Sequence, residues 1–142
     1  MSKKICLFGA VLCAFTLTGC LSREQADSRL SKACVAAVNV FLDETQKIET
    51  LKGADFSASP EGPDFRHVTI HTVIMDGWLE TENDYECVFQ EGFGFLNSGY
   101  TASIYQVHVG DDIYGSAGGQ IQGDAQDHLK LNEAVRKSLY GK

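Results

Sequence analysis

Apolar side chains recur every three or four residues over one long segment, at Leu30, Cys34, Ala37, Val38, Phe41, Ile48 and Leu51. This spacing puts them on one face of a helix. Ser22 and Gln25 fit a capping box, in which each side chain accepts a hydrogen bond from the other residue's backbone N–H. The pattern therefore predicts a long amphipathic helix over residues 23–52, ending before Gly53.

Three later segments favour strands because they are rich in β-branched and aromatic residues: 65–75, 85–90 and 100–109. A shorter strand is expected at residues 113–114. Both prolines fall within residues 54–64, which we expect to form the loop between the helix and the sheet.

The last part of the chain predicts a second helix. Asp124 can cap its start, and Gly141 lies just beyond its end. Its apolar face is formed by Leu131, Val135 and Leu139 at four-residue spacing. The expected fold class is α+β: a long N-terminal amphipathic helix packed on a 3–4-stranded antiparallel sheet, followed by a short C-terminal helix, with one sheet face covered.

The first nineteen residues have the layout of a secretory signal. Lys3 and Lys4 precede an apolar run over residues 5–18, and small residues then lead to Cys20. The run is shorter than the roughly 20 apolar residues that cross a bilayer, so a transmembrane helix is the weaker interpretation. We therefore expect residues 1–19 to be cleaved and residues 20–142 to form a single domain.

The tetrapeptide Leu17-Thr18-Gly19-Cys20 resembles the lipobox of bacterial lipoproteins. The resemblance implies that the Cys20 thiol is diacylglycerated, that the signal is cut before Cys20, and that the new amine is acylated. Two or more acyl chains hold a protein stably on a membrane. Because Leu21 and Ser22 follow the cysteine, the resemblance also implies the outer membrane, facing the periplasm. The alternative is an ordinary signal peptide that is cut elsewhere.

The chain is acidic, with a formal net charge of -7. Loss of Lys3 and Lys4 with the signal would leave 10 basic against 19 acidic residues. Such a domain is repelled by nucleic acid and by anionic lipid headgroups, so we expect no nucleic-acid partner and expect the lipid alone to hold the domain at the membrane. A basic envelope protein is a compatible partner, and solubility alone is the other explanation of the charge.

Cys34 and Cys87 are the two cysteines left after the signal and the lipidated position are set aside. A pair of cysteines in an oxidising compartment predicts a disulfide, here between the first helix and the strand at residues 85–90. Two unpaired buried thiols are the alternative. Neither residue belongs to a C-x-x-C, which argues against metal or redox chemistry.

Candidate catalytic and metal-binding residues are few. His67 and His71 lie four apart in a predicted strand, where roughly 13 Å separates them, so we expect no shared metal ion. Asp124, Asp127 and His128 could be drawn as ligands or as an acid and a base, but acidic residues at a helix start are explained by capping. We expect no cofactor, no metal and no catalysis.

Acidic residues form a band through the middle of the chain, at Glu80, Glu82, Asp84, Glu86 and Glu91. The spacing of a calcium-binding loop is absent, so the band predicts a solvated charged face. Aromatic residues are the stronger indication of binding, with Trp78, Phe93, Phe95 and Tyr100 crowded around glycines. If they are exposed they mark a protein-binding edge, and otherwise they close the core.

The segments Tyr85-x-Cys87 and Ser98-Gly99-Tyr100 are similar to those of membrane-bound lysozyme inhibitors, acidic periplasmic lipoproteins that block a basic enzyme. In that family the partner cysteine lies toward the C-terminus, whereas here Cys34 lies upstream. The order of elements from the first helix to Cys87 also loosely resembles small bacterial lipoproteins of uncharacterised function.

From the sequence we expect a lipid-anchored cell-envelope lipoprotein with a non-catalytic binding or structural role. The alternatives are an inhibitor of a cationic enzyme such as lysozyme, a surface or entry exclusion lipoprotein, and an uncharacterised envelope enzyme.

Overall fold

The computed structural model describes residues 21–95 and 99–141. The elements follow in the order α1 (Arg23–Asn39), β1 (Gln46–Ser59), β2 (Gly62–Asp76), β3 (Leu79–Phe93), β4 (Tyr100–Val109), β5 (Asp112–Ala117), β6 (Gln120–Gln122) and α2 (Ala125–Tyr140). Residues 1–20, which include the predicted signal and Cys20, lie outside the described residues.

The six strands form one antiparallel sheet in chain order, so every strand pairs with its neighbour in sequence. Both helices pack on the same sheet face and share one core with it. Side chains of that core include Leu30, Cys34 and Val38 of α1, Val68 and Ile70 of β2, Cys87 and Phe89 of β3, Val107 of β4, and Leu131 and Val135 of α2. The opposite face, which we call the open face, has no helix on it among the described residues.

The predicted fold class, a long helix on a 3–4-stranded sheet, is wrong in helix length and in strand number. The first helix ends at Asn39, and residues 46–59 form β1 instead of its last turns. The pairing of β1 with β2 is interrupted by bulges between Ile48 and Thr50 and between Leu51 and Gly53. Each bulge inserts a residue, so Ile48 and Leu51 both reach the core although they are three apart. A bulged strand and a helix can thus give the same spacing of apolar residues in a sequence.

The segment predicted as a loop, residues 54–64, is mostly strand. Residues 54–59 complete β1. Pro63 lies at the start of β2, a position at which a strand tolerates the missing N–H of proline. Gly118 and Gly119 have φ values of 57° and 78°, as a two-residue hairpin turn requires, and they join β5 to β6.

Both predicted helix starts are confirmed. The Ser22 hydroxyl accepts from the Gln25 N–H and the Gln25 side chain accepts from the Ser22 N–H, each at 3.1 Å. Asp124 and Asp127 form the equivalent capping box for α2. Gly141 ends α2 in the left-handed conformation.

The disulfide between Cys34 and Cys87 is confirmed. Both side chains are fully buried in the core, and their Cα atoms are 5.8 Å apart. The bond fixes the middle of α1 to the middle of the sheet, as predicted from the position of Cys34 on the apolar face of the helix.

Candidate functional site

The open face carries a row of carboxylates along β3. Successive residues of a strand point to opposite faces, and Tyr85, Cys87 and Phe89 point into the core. The alternate positions therefore lie on the open face, and those from residue 80 to residue 86 are Glu80, Glu82, Asp84 and Glu86, all exposed. We call these four residues the acidic row. At about 3.3 Å per residue, the row runs for about 20 Å.

Charge is distributed unevenly between the layers of the fold. The sheet segment, residues 46–122, holds twelve acidic and three basic residues, whereas each helix holds three basic and two acidic residues. The net negative charge of the chain thus resides in the sheet.

His71 lies beside the acidic row, between carboxylates of both neighbouring strands. Its Nδ1 is 2.8 Å from Oδ1 of Asp84 on β3, and its Nε2 is 2.9 Å from Oδ2 of Asp55 on β1. Hydrogen bonds to Asp55 and then to Asp84 raise the pKa of His71 above its usual value, although the imidazole is solvent-exposed. Each ring nitrogen faces a carboxylate on a different strand, so protonation of His71 gives a cation that bridges β1 and β3.

His67 and His108 share a second carboxylate of the row. Oε2 of Glu86 is 3.4 Å from Nε2 of His67 and 4.0 Å from Nδ1 of His108. Nδ1 of His67 also lies 3.5 Å from the hydroxyl of Ser57, which completes a Ser-His-Glu arrangement. The hydroxyl is exposed and the contact is at the limit of a hydrogen bond, so water competes for it.

The acidic residues at the start of α2 cap the helix. Asp124 and Asp127 accept backbone hydrogen bonds at 2.8 and 3.3 Å within the capping box. Among the described side chains, Nε2 of His128 is buried without a hydrogen-bond partner.

No group of three or more His, Cys, Asp or Glu side chains in residues 21–95 and 99–141 is arranged to hold a metal ion. Over the same residues, neither helix is both long and apolar enough to cross a membrane.

The four predicted binding aromatics do not form one surface. Trp78 is 92% exposed in the turn between β2 and β3, which we call the far end. Phe93 and Phe95 are 52% and 87% exposed at the opposite end of β3, the near end, where Tyr100 is half-buried. The rings of Phe93 and Tyr100 are 5.4 Å apart. Fourteen residue steps of β3 separate Leu79 from Phe93, a distance of about 45 Å.

A network of ion pairs fixes the start of α1 to the near end. The guanidinium of Arg23 donates to both carboxylate oxygens of Glu91, at 2.7 and 2.9 Å, and lies 2.6 Å from Asp27. The hydroxyl of Tyr100 donates to Glu91 at 2.6 Å, and Arg66 of β2 donates twice to Asp27. The hydrogen bonds that Arg23 donates to Glu91 are the main cause that raises the pKa of Arg23, while burial is the main cause that raises the pKa of Tyr100.

A groove of about 520 Å³ lies between α2 and the outer edge of β4. Ile104, Leu129 and Val135 give it apolar walls, and Arg136 and Asn132 give it polar ones. β5 pairs with β4 only from Gln106 onward, which leaves the first half of β4 as an edge. At this edge the Tyr140 hydroxyl donates to the carbonyl of Ala102 and accepts from its N–H, each at 2.9 Å.

Sequence reasoning missed the Arg23 network, the groove and the bridge made by His71. The partners in each lie on different strands or helices, up to 68 residues apart, so no local spacing marks them. The one available signal was the alternation of acidic residues on β3, which was interpreted only as a solvated face.

Comparison with models of known protein families found no match, and neither did comparisons with curated proteins and with solved structures.

Proposed function

We propose that this chain is a bacterial envelope lipoprotein, anchored through acyl chains on Cys20, which binds a cationic protein partner on the open face of its sheet and performs no catalysis. Two independent features support the proposal: the lipobox-like tetrapeptide that ends at Cys20 and the chemistry of the open face. Ser22, two residues after Cys20 in the sequence, is the N-cap of α1.

The acidic row is the observation that carries the binding proposal. Four carboxylates on alternate residues of one strand repel one another, and a sheet gains nothing from such like-charge neighbours. Lys52 pairs with Glu82 at 2.6 Å and His71 with Asp84, so part of this charge is compensated within the sheet. A basic segment of a partner protein would compensate the remaining negative charge. Because the acidic row is exposed, this attraction would mainly raise the association rate.

The binding surface is tested by crosslinking in intact envelopes. The variant Glu80→Gln/Glu82→Gln/Glu86→Gln removes three charges of the open face and leaves the bridge at His71 intact. We expect the partner that is crosslinked to wild type to be absent from the variant. We also expect less of this partner to be crosslinked to wild type as the salt concentration rises.

The matched control removes three exposed acidic charges elsewhere, at Glu44, Asp111 and Glu133. This Glu44→Gln/Asp111→Asn/Glu133→Gln variant has the same net charge as the open-face variant. If both variants lose the partner equally, net charge and not the open face is responsible, and the proposed surface is wrong.

The anchor is tested separately by labelling cells with radioactive palmitate. We expect Cys20→Ser to abolish incorporation of label, whereas Cys13→Ser, which changes a thiol within the apolar run, should retain it. Incorporation into the Cys20→Ser protein would contradict the assignment of this residue.

An inhibitor of a cationic enzyme is the second candidate function, and the acidic row favours it over the exclusion role. The soluble domain at micromolar concentration should then lower the activity of a basic muramidase, and the open-face variant should not. Unchanged lysozyme activity with both proteins would remove this candidate and leave the general binding proposal in place.

A further inference from the structure

The start of α1 and the aromatic residues of the near end lie side by side. Arg23, the first residue of α1, holds Glu91 through two hydrogen bonds, and Phe93 follows Glu91 by two residues on β3. Cys20 precedes Ser22 by two residues, so their Cα atoms are at most ~7.6 Å apart. A lipid on Cys20 would therefore be attached close to Ser22, at the start of α1, which Arg23 ties to the near end.

The side chains of Phe93 and Phe95 present apolar surface where a membrane would be. Phe93 is 52% exposed and Phe95 is 87% exposed. Large exposed aromatic residues close together mark an interaction surface, and Phe is among the residues with which peripheral proteins enter the boundary between headgroups and acyl chains.

Charges of both signs lie at the near end: Glu61 and Asp64 of the β1–β2 hairpin lie beside the end of β3, and basic residues lie on the helix side. Arg29 and Lys32 of α1 border the same surface depression as Leu21 and Ser22, together with one acidic residue, Glu24. Arg136 of α2 joins Arg29 and Lys32 around an adjoining depression. The acidic row lies on the open face, on the other side of the sheet from these helices. The helix side of this end is thus less acidic than the open face.

We propose that Phe93 and Phe95 insert into the lipid headgroup region as a second membrane contact beside the acyl chains, a proposal that rests on the proposed anchoring at Cys20. Contact at two neighbouring points fixes orientation, which a flexible tether at one point does not. The β2–β3 hairpin then points away from the membrane, with Trp78 about 45 Å from the lipid and the acidic row between them.

Tryptophan fluorescence tests this orientation directly, because Trp78 is the only tryptophan of the chain. The lipidated full-length protein is reconstituted in vesicles of phosphatidylcholine and phosphatidylglycerol whose acyl chains carry bromine, a short-range quencher. In wild type, Trp78 reports on the far end. In Trp78→Phe/Phe95→Trp, the new tryptophan reports on the near end from an exposed position.

We expect at least twofold quenching of the tryptophan at position 95 by brominated lipid, and no quenching of Trp78 in wild type. Circular dichroism of both proteins checks that the fold is unchanged. Flotation with the vesicles reports on the anchor independently of either fluorophore.

The outcomes separate the two proposals. If the protein floats with vesicles but position 95 is not quenched, the anchor stands and the membrane contact is wrong, which would leave a protein partner for the aromatic surface. Equal quenching at both positions would mean that the domain lies along the membrane, and this also overturns the orientation. If wild type does not float, the anchoring and the contact that rests on it fail together.

Discussion

Arg23 and Glu91 are joined by two parallel hydrogen bonds, 2.7 and 2.9 Å long, that connect the first residue of α1 to the end of β3. The Glu91 side chain is 8% exposed, and its carboxylate also accepts from the Tyr100 hydroxyl. A carboxylate this buried depends on its donors, since an unpaired buried charge is costly.

We expect Glu91→Gln to lower the free energy of unfolding by about 1 kcal/mol, a value reduced because the Arg23 side chain is 41% exposed. Glu82→Gln is the control, because Glu82 pairs with Lys52 on the exposed surface and its loss should change stability by less than about 0.5 kcal/mol. Urea denaturation measures both. Equal costs for the two variants would show that burial of Glu91 contributes nothing to this pair.

The disulfide joins residues 53 positions apart in sequence, and both cysteines are fully buried. Removal of such a crosslink frees the unfolded chain and should lower the free energy of unfolding by about 4 kcal/mol. Cys34→Ala/Cys87→Ala should therefore unfold at a much lower urea concentration than Cys20→Ser, which retains the bond. The same midpoint in both variants would contradict this prediction.

Reductant provides an independent test of where the bond lies. Because neither sulfur is accessible in the folded state, dithiothreitol should reduce the native protein only as fast as it unfolds. Rapid reduction without unfolding would show that the bond is reached from solvent.

The two helix starts and the disulfide were predictable because each depends on local chemistry or on a single pair. Ser22, Gln25, Asp124 and Asp127 cap helices within three residues of themselves, and Cys34 and Cys87 had no competing partner in the predicted mature chain. The end of α1 was not predictable in this way. Ile48 and Leu51 continue a helical spacing, and only the pairing of β1 with β2 shows that bulges create it.

The candidate surfaces were predictable only in part. The sequence left open whether Trp78, Phe93 and Phe95 are exposed, and the structure shows that they are. Their separation into two ends follows from the length of β3, which extends well beyond the predicted residues 85–90. The bridges at His71 and Arg23 require knowledge of which strands are neighbours. Sequence spacing within one strand does not contain that information.

Gly115 lies where β5 separates from β4, with φ of 104°. A Cβ at this position would collide with the backbone oxygen of Tyr105, which cannot move without breaking the sheet. We expect Gly115→Ala to lower the free energy of unfolding by more than about 2 kcal/mol. Gly118→Ala, in a turn with positive φ and open space around it, should cost about 1 kcal/mol. Equal thermal denaturation midpoints for the two variants would show that the close approach of Gly115 to Tyr105 does not affect stability.

The Tyr140 hydroxyl closes the exposed edge of β4 by bonding both the N–H and the carbonyl of Ala102. Tyr140→Phe keeps the ring and removes both hydrogen bonds, so we expect a loss of about 1 kcal/mol in stability. The specific readout is hydrogen exchange, in which the Ala102 amide should exchange faster while the amides of β2 and β3 stay protected. Unchanged protection at Ala102 would show that the edge is covered by other means.

His71 makes stability depend on pH because Asp55 and Asp84 stabilise its charged form. The pKa is raised in the folded protein, so the stabilisation is fully present below the unfolded pKa of about 6.5 and is lost as pH rises through the folded pKa. His71→Asn should therefore be less stable than wild type at pH 5.5, and the difference should shrink steadily toward pH 9. Denaturation at several pH values measures this, and a titration of the imidazole by NMR should place its pKa above 6.5. A stability difference that is constant with pH, or that grows as pH rises, would mean that His71 is not held as a cation between the two carboxylates.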